Sequence, residues 1–132
     1  MHEWALAEAI ISAVSEVADK ENFKEVKSVL VLVGELQQVD REVLKFAITQ
    51  LRPDKLAKTR FIIRVVRASF TCKACGHKWP FRESVLQDWV KEAIHFVPEV
   101  AHAYIRCPVC GSPDFEISGG RGVWIAGIRG ER

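Results

Sequence analysis

Two close pairs of cysteines constrain this chain more than any other feature. Cys72-Lys-Ala-Cys75-Gly76 and Cys107-Pro-Val-Cys110-Gly111 stand 31 residues apart. In each pair the two-residue gap lets one tight turn offer both thiolates to a single ion, and the glycine that follows can take the positive φ such a turn often needs. Four sulfurs suit a closed tetrahedral Zn(II) site with zinc–sulfur distances near ~2.3 Å. A redox dithiol needs only one pair, and an iron–sulfur cluster is the other centre that four thiolates could hold. His77 could substitute for a thiolate, but with four present it reads as an exposed neighbour.

Such a module is small, so the rest of the chain has to supply a fold of its own. At 132 residues and 48% hydrophobic, the chain fits one compact domain or a small domain with an appended module. The net charge of +2 comes from mixed acidic and basic residues, with no run that would make a footprint for nucleic acid. No apolar stretch is as long as a membrane span, and no signal-peptide pattern opens the chain. A soluble, cytoplasmic protein is therefore expected. In a reducing compartment, paired cysteines are metal ligands rather than disulfides. Asn and Met each occur once, a scarcity of thermolabile residues that fits a thermophile.

From Glu3 to about Asp19, Leu6, Ala7, Ile10, Ile11, Val14, Val17 and Ala18 recur at three- and four-residue steps, an amphipathic helix. Trp4 is expected to anchor its start as a core residue. Val26 to Glu35 is β-branched and apolar on both sides from Val29 to Val33, which predicts a strand covered on both faces or at a dimer contact. Asp40 reads first as the N-cap of a second helix, whose face carries Val43, Leu44, Ala47, Ile48 and Leu51 and which stops before Pro53. One long strand is expected from Phe61 to about Phe70. Between the cysteine pairs, Val85, Leu86, Trp89, Val90, Ala93, Ile94 and Val97 mark a helix ended by Pro98, with Pro98-Glu99-Val100 starting a short turn. Phe115–Ile117 and Val123–Ile128 read as strands. The glycines between them lack a Walker ending and predict a flexible crossing.

The element order predicts an α+β fold: a small three-stranded sheet with two helices, and a zinc-ribbon-like domain inserted before the last strand. The expected boundaries are 1–69 together with 119–132 for the α+β domain and 70–118 for the cysteine module. That module is expected to bury little, with zinc supplying on the order of ~10 kcal/mol of folding free energy.

Met1-His2-Glu3 offers an amine, a peptide nitrogen and an imidazole in consecutive chelate rings, with a carboxylate beside them. Nitrogen and oxygen donors in a tetragonal array suit Ni(II) or Cu(II). From the tripeptide alone the plainer reading is that His2 and Glu3 are exposed residues opening a helix, Glu3 complementing its dipole.

The opening Met1-His2-Glu3-Trp4-Ala5-Leu6-Ala7, the strand end Gly34-Glu35-Leu36 followed by Asp40, the cysteine pairs and the tail Gly120-Arg121-Gly122-Val123 together resemble the HypA family, nickel metallochaperones of [NiFe] hydrogenase maturation. The likeness runs from residue 1 to about 128. It implies that His2 carries Ni(II) with Met1 and Glu3 beside it, and that Asp40 lies near enough to complete an alternative shell. It also implies delivery to the hydrogenase large subunit with a HypB-type nucleotide-hydrolysing accessory protein. The long connector departs from bacterial members and resembles archaeal ones. Because it is long enough to reach the first helix, and His95 sits where its own helix is broken, His95 rather than His102 is expected to join the nickel shell in some conformations.

Two other classes compete with a nickel carrier. A zinc-ribbon module for nucleic acid or protein would show base-stacking aromatics or clustered cations on the knuckles, and these are sparse. An enzyme would need a nucleophile paired with an oriented base, and no such pair is evident. A carrier without catalytic chemistry, binding neither nucleic acid nor membrane, is the expectation; a homodimer is compatible with the apolar strand.

Overall fold

The computed structural model of the protein describes residues 2–81 and 86–132. The chain forms two compact units. The first comprises Met1–Leu32, Val39–Arg64 and Val123–Arg132, the second Val33–Gln38 and Val65–Gly122.

In the first unit, α1 (Glu3–Lys20) buries Ala7, Ile10, Ile11, Val14 and Ala18, the stripe its three- and four-residue spacing predicts. Two residues past the helix, Asn22 takes a φ of 57°, which turns the chain so that the Phe23 N–H donates to the Ala18 carbonyl at 2.9 Å. α2 (Arg41–Leu51) buries Leu44, Ala47 and Ile48 and packs on α1. Its last turn runs into Arg52-Pro53, where Pro has no N–H to continue the ladder. β1 (Glu25–Gly34) is the centre of a sheet ordered β2-β1-β6, with β2 spanning Arg60–Val66 and β6 Val123–Glu131. Val29 and Val31 of β1 are fully buried, while Leu30 and Leu32 between them are half-buried, so one face carries the core. Buried Thr59 donates its hydroxyl to the Val26 carbonyl at 2.8 Å, satisfying a polar group that burial would otherwise penalise.

The α+β expectation holds: a three-stranded sheet with two helices, and a second small sheet, β4-β3-β5, inserted before the last strand. β3 (Ser69–Cys72) pairs antiparallel with β4 (Lys78–Pro80) and with β5 (Phe115–Ser118), Phe70 standing opposite Trp79 and Ile117.

Three expectations need correction. The single strand over 61–70 is two strands in different sheets, broken at Arg67-Ala68. The Ala68 N–H donates to the Glu35 carboxylate at 2.8 Å, and its carbonyl accepts from the Phe81 N–H at 3.0 Å. The glycine crossing is pinned rather than loose. Gly34 N–H donates to the Gly122 carbonyl at 2.8 Å and Leu36 N–H to that of Gly120 at 2.9 Å, and a Cβ on Gly34 would lie 2.3 Å from the Gly120 oxygen. Finally, the cysteine-bearing unit has a substantial core. Phe70, Trp79, Phe81 and Phe115 interlock, with the Phe70 and Phe115 ring centres 4.9 Å apart, against Leu36, Val90, Ile94 and Ile105. Burying such side chains is worth roughly 1.5–3 kcal/mol each.

Over that core lie α3 (Asp88–Phe96), a single 3-10 turn at Pro98–Val100 and α4 (Ala101–Tyr104). Pro98 ends α3 because it has no N–H to continue the ladder and its ring keeps Val97 out of the helical region, at φ −136° and ψ 93°. Val85, expected at the start of this helix, lies outside the described residues.

Candidate metal centres

Each cysteine pair closes the turn its spacing predicts. Gly76 N–H donates to the Cys72 carbonyl at 2.9 Å and Gly111 N–H to the Cys107 carbonyl at 2.8 Å, and the two glycines take φ of 79° and 76°. Lys73 N–H donates to the Asp114 carbonyl at 2.9 Å, tying the first turn to the chain after the second. The four Sγ atoms lie within 4.8 Å of one another, Cys72 to Cys110 at 3.5 Å and Cys75 to Cys107 at 3.6 Å. A tetrahedral thiolate site with metal–sulfur bonds of ~2.3 Å has sulfur–sulfur edges of ~3.8 Å, so the donor set is compatible with a structural metal ion. Cys72 and Cys107 are buried among the core residues, whereas Cys75 and Cys110 face outward.

The thiols do not ionise alike. Burial pushes Cys107 up, but the N–H groups of Cys110 and Val109 and the neighbouring thiols outweigh it and bring its pKa down to about 6. At Cys75 the His77 N–H favours the thiolate, yet burial and the surrounding sulfurs raise it to about 12. Cys72 is lowered, chiefly by the Cys75 N–H; Cys110 is raised, because the sulfur of Cys72 and burial outweigh the Ser112 N–H. Four anions cannot share this volume without a cation. Metal uptake by the metal-free protein near pH 7.5 is therefore expected to release two or three protons per ion, and affinity falls as pH drops through 6, where Cys107 also takes up a proton. Calorimetry in buffers of different ionisation enthalpy gives that number; release of four would mean that Cys107 titrates as an ordinary thiol.

His77 is not in the cluster. It is half-buried and stacks on Trp79, ring centres 6.0 Å apart and nearly parallel at 10°. His102 stacks on Phe115 at 4.3 Å, with Nδ1 3.0 Å from the Pro113 carbonyl oxygen. His95 is 6% exposed at the end of α3, its ring 5.0 Å from that of Phe96.

The other candidate donors lie in the first unit. His2 is exposed and begins α1 by accepting the Leu6 N–H on its carbonyl at 3.0 Å. Met1 lies outside the described residues. Glu3 and Asp40 are brought together: the Asp40 N–H donates to Glu3 Oε1 at 3.1 Å. Asp40 is also the N-cap of α2, its Oδ1 accepting from the N–H groups of Glu42 at 3.0 Å and Val43 at 3.2 Å. Both bonds fall on Oδ1, so Oδ2 stands outside the cap. Trp4, expected in the core, is 45% exposed and meets Phe46 edge-on at 5.9 Å.

The cap and the donor role of Asp40 separate by substitution. Asp40→Ala is expected to cost about 1 kcal/mol of stability by removing the cap, whereas Asp40→Asn, which can still accept both bonds, costs little. A nickel affinity reduced in both variants would identify a ligand, and one reduced only in the Ala variant a cap; urea unfolding and metal titration of the pair read both quantities.

A family described as "Hydrogenase/urease nickel incorporation, metallochaperone, hypA" matches residues 1–130. The chain belongs to the HypA family. It is 46% identical to the hydrogenase maturation factor HypA of Thermococcus gammatolerans and 47% identical to that of Pyrococcus horikoshii, in each case over 135 aligned positions that cover 100% of this chain and 97% of the relative. The fold agrees with two solution structures of this family. That of the Ni metallochaperone HypA from Helicobacter pylori has a TM-score of 0.59 at 20% identity, covering 99% of this chain and 98% of that one. A second HypA structure has a TM-score of 0.63 at 19% identity, covering 98% and 96%. HypA is thus a family of nickel-incorporating maturation factors, and this member carries a four-cysteine cluster compatible with a metal. Among the described residues, no helix is long and apolar enough to cross a membrane.

Glu35, part of the Gly34-Glu35-Leu36 signature, has a structural role within the cysteine-bearing unit that its place in that signature does not reveal. Glu35 has a side chain only 15% exposed, takes the Ala68 N–H on Oε1 at 2.8 Å and pairs with Arg67 through Oε2 at 3.3 Å. A glutamate directly after a strand-ending glycine was the available signal.

Proposed function

We propose that this protein is a cytoplasmic nickel carrier of hydrogenase maturation that holds two metals by two different chemistries. Cys72, Cys75, Cys107 and Cys110 hold Zn(II), which draws the two turns together and completes the core around Cys72 and Cys107. Ni(II) is carried by His2 with the Met1 amine and Glu3, and Asp40 supplies a further oxygen. What carries this reading is the bond from the Asp40 N–H to Glu3, which sets a second carboxylate beside the opening residues of α1. Nitrogen and oxygen donors on an exposed helix start suit a cargo that must leave, whereas four thiolates suit an ion that stays. The cargo goes to the large subunit of the hydrogenase with the help of a HypB-type nucleotide-hydrolysing protein, and the carrier has no catalytic chemistry of its own.

His95 enters this reading as an extra donor that changes affinity between loading and release. Buried at the last turn of α3 next to Pro98, it becomes accessible only if that helix end rearranges. His95→Ala should therefore weaken nickel binding in the partner complex and His102→Ala should not.

The test of the whole reading is a metal inventory. Protein as purified should hold one zinc per chain and then take up one nickel without releasing zinc. Nickel that displaces zinc stoichiometrically would place both at the cysteines.

A further inference from the structure

We propose that the open face of the β2-β1-β6 sheet is a docking surface for an acidic protein segment with an aliphatic centre. The face is defined by alternation along the strands. On β1 the buried Val29 and Val31 point one way, and half-buried Leu30 and Leu32 the other. On β2 the buried Ile63 shares the core side, which leaves Arg60, Ile62 and Arg64 on the opposite one. Arg129 of β6 completes it, lining an open depression together with Lys27, Ser28, Arg60 and Ile62.

The charges of this face are not balanced within the molecule. Lys27 is held by Glu25 at 3.2 Å and Glu131 at 3.8 Å. Among the described residues, Arg60, Arg64 and Arg129 are exposed and have no carboxylate at ion-pair distance. Four residues along a strand separate Arg60 from Arg64 by ~13 Å, and two ladder steps separate β2 from β6 by ~10 Å. Arg60 and Arg129 thus flank Ile62 in one depression, and Arg64 stands further along the same face, which also carries Leu30 and Leu32. Guanidinium forks match carboxylates in two-bond pairs, and Arg is less costly to desolvate than Lys.

Complementarity decides among occupants. A second copy would set unpaired arginines against unpaired arginines, and the carboxylates the face does carry are already held by Lys27. Single-stranded nucleic acid wants aromatic platforms for its bases, but the centre here is aliphatic, and the exposed Trp124 of β6 lines a different depression with Leu6, Ala9 and Ile10 of α1. A segment alternating carboxylates with aliphatic side chains satisfies both the arginines and the aliphatic residues of this face.

The experiment titrates the full-length protein with a short peptide of alternating glutamate and leucine, following amide shifts of the sheet and, separately, anisotropy of a labelled peptide. Binding should map to β1 and β2. It should weaken about ten-fold in Arg60→Glu/Arg64→Glu and stay unchanged in Lys58→Glu, a charge reversal outside the face, and the difference should shrink as salt is raised. Should the double Glu variant fail to fold, Arg60→Gln/Arg64→Gln serves with a smaller expected loss. The proposal is overturned if the peptide does not bind, if a lysine–leucine peptide binds equally well, or if the arginine variants bind like the parent. It is equally overturned if a single-stranded RNA or phosphatidylserine vesicles bind this face in place of the peptide, or if its only occupant is a second copy seen by sedimentation.

Discussion

Cys107→Ser is expected to cost the protein its resident metal and the ordered packing of the cysteine-bearing unit. Structural zinc contributes on the order of ~10 kcal/mol to small domains, and a domain's whole margin is typically ~5–15 kcal/mol. A shell opened by one ligand therefore leaves little to hold the two turns together. Cys107 carries a second burden, because it is 3% exposed and sits in the same core as Phe70 and Phe115. A serine there leaves a hydroxyl without a thiolate's metal partner in apolar surroundings, an added cost of roughly 1–3 kcal/mol. Cys110→Ser removes a ligand from an exposed position and should do less damage. Metal analysis with the near-ultraviolet signal of Trp79 and its neighbours distinguishes the two: both variants lose the ion, and Cys107→Ser loses more tertiary signal. Retention of both metal and packing in either variant would show that the cysteines are not the ligands. Helices α1 and α2, whose buried stripes pack on each other, should survive in both.

His2→Ala is expected to weaken nickel binding at least about 100-fold, since losing a ligand should exceed the 10–100-fold effect of altering a ligand's outer partners. Residues added ahead of Met1 should weaken it comparably, because they remove the amine from the first chelate ring while leaving His2 in place. Zinc content and thermal stability should not change in either variant: His2 is exposed, and its contribution to α1 is a backbone carbonyl that Ala also has. If the extended protein binds nickel as tightly as the native one, the amine is not a donor. Glu3→Gln probes the neighbouring bond, since its amide oxygen can still accept the Asp40 N–H. Affinity preserved in Glu3→Gln would make Glu3 a positioning residue.

Periodicity and cysteine spacing carried most of the architecture. Ile10, Ile11 and Val14 of α1, Leu44 and Ile48 of α2, and the valines of β1 are buried where their spacing places them, because helix and strand repeats leave few ways to gather apolar side chains on one side. The cysteine turns were equally legible, since Gly76 and Gly111 report the backbone conformation as well as the spacing. What stayed hidden depends on contacts distant in sequence. Ile62, Ile63, Val65 and Val66 continue a strand pattern toward Phe70, and nothing local announces that Ala68 leaves the ladder to meet Glu35, 33 residues away. The aromatic core of the cysteine unit is assembled from Phe70, Trp79, Phe81 and Phe115, too far apart along the chain to make a periodic stripe. Trp4 lies outside the core for a simpler reason. At the first turn of a helix an indole can lie along one neighbour, here Phe46, and remain largely open to water. At the candidate nickel site, the cap of Asp40 was legible from residue type and position, whereas its bond to Glu3 required two helix starts to be adjacent, which no local pattern encodes.

Whether nickel and the metal of the cysteine cluster occupy sites of different chemistry, as proposed, is read by X-ray absorption at the nickel edge on full-length protein that holds zinc and is loaded with one nickel per chain. A shell of nitrogen and oxygen neighbours with imidazole scattering and no sulfur is predicted, the imidazole contribution falling in His2→Ala. A sulfur shell around nickel would instead place the cargo among Cys72, Cys75, Cys107 and Cys110 and rule out a separate nitrogen and oxygen site.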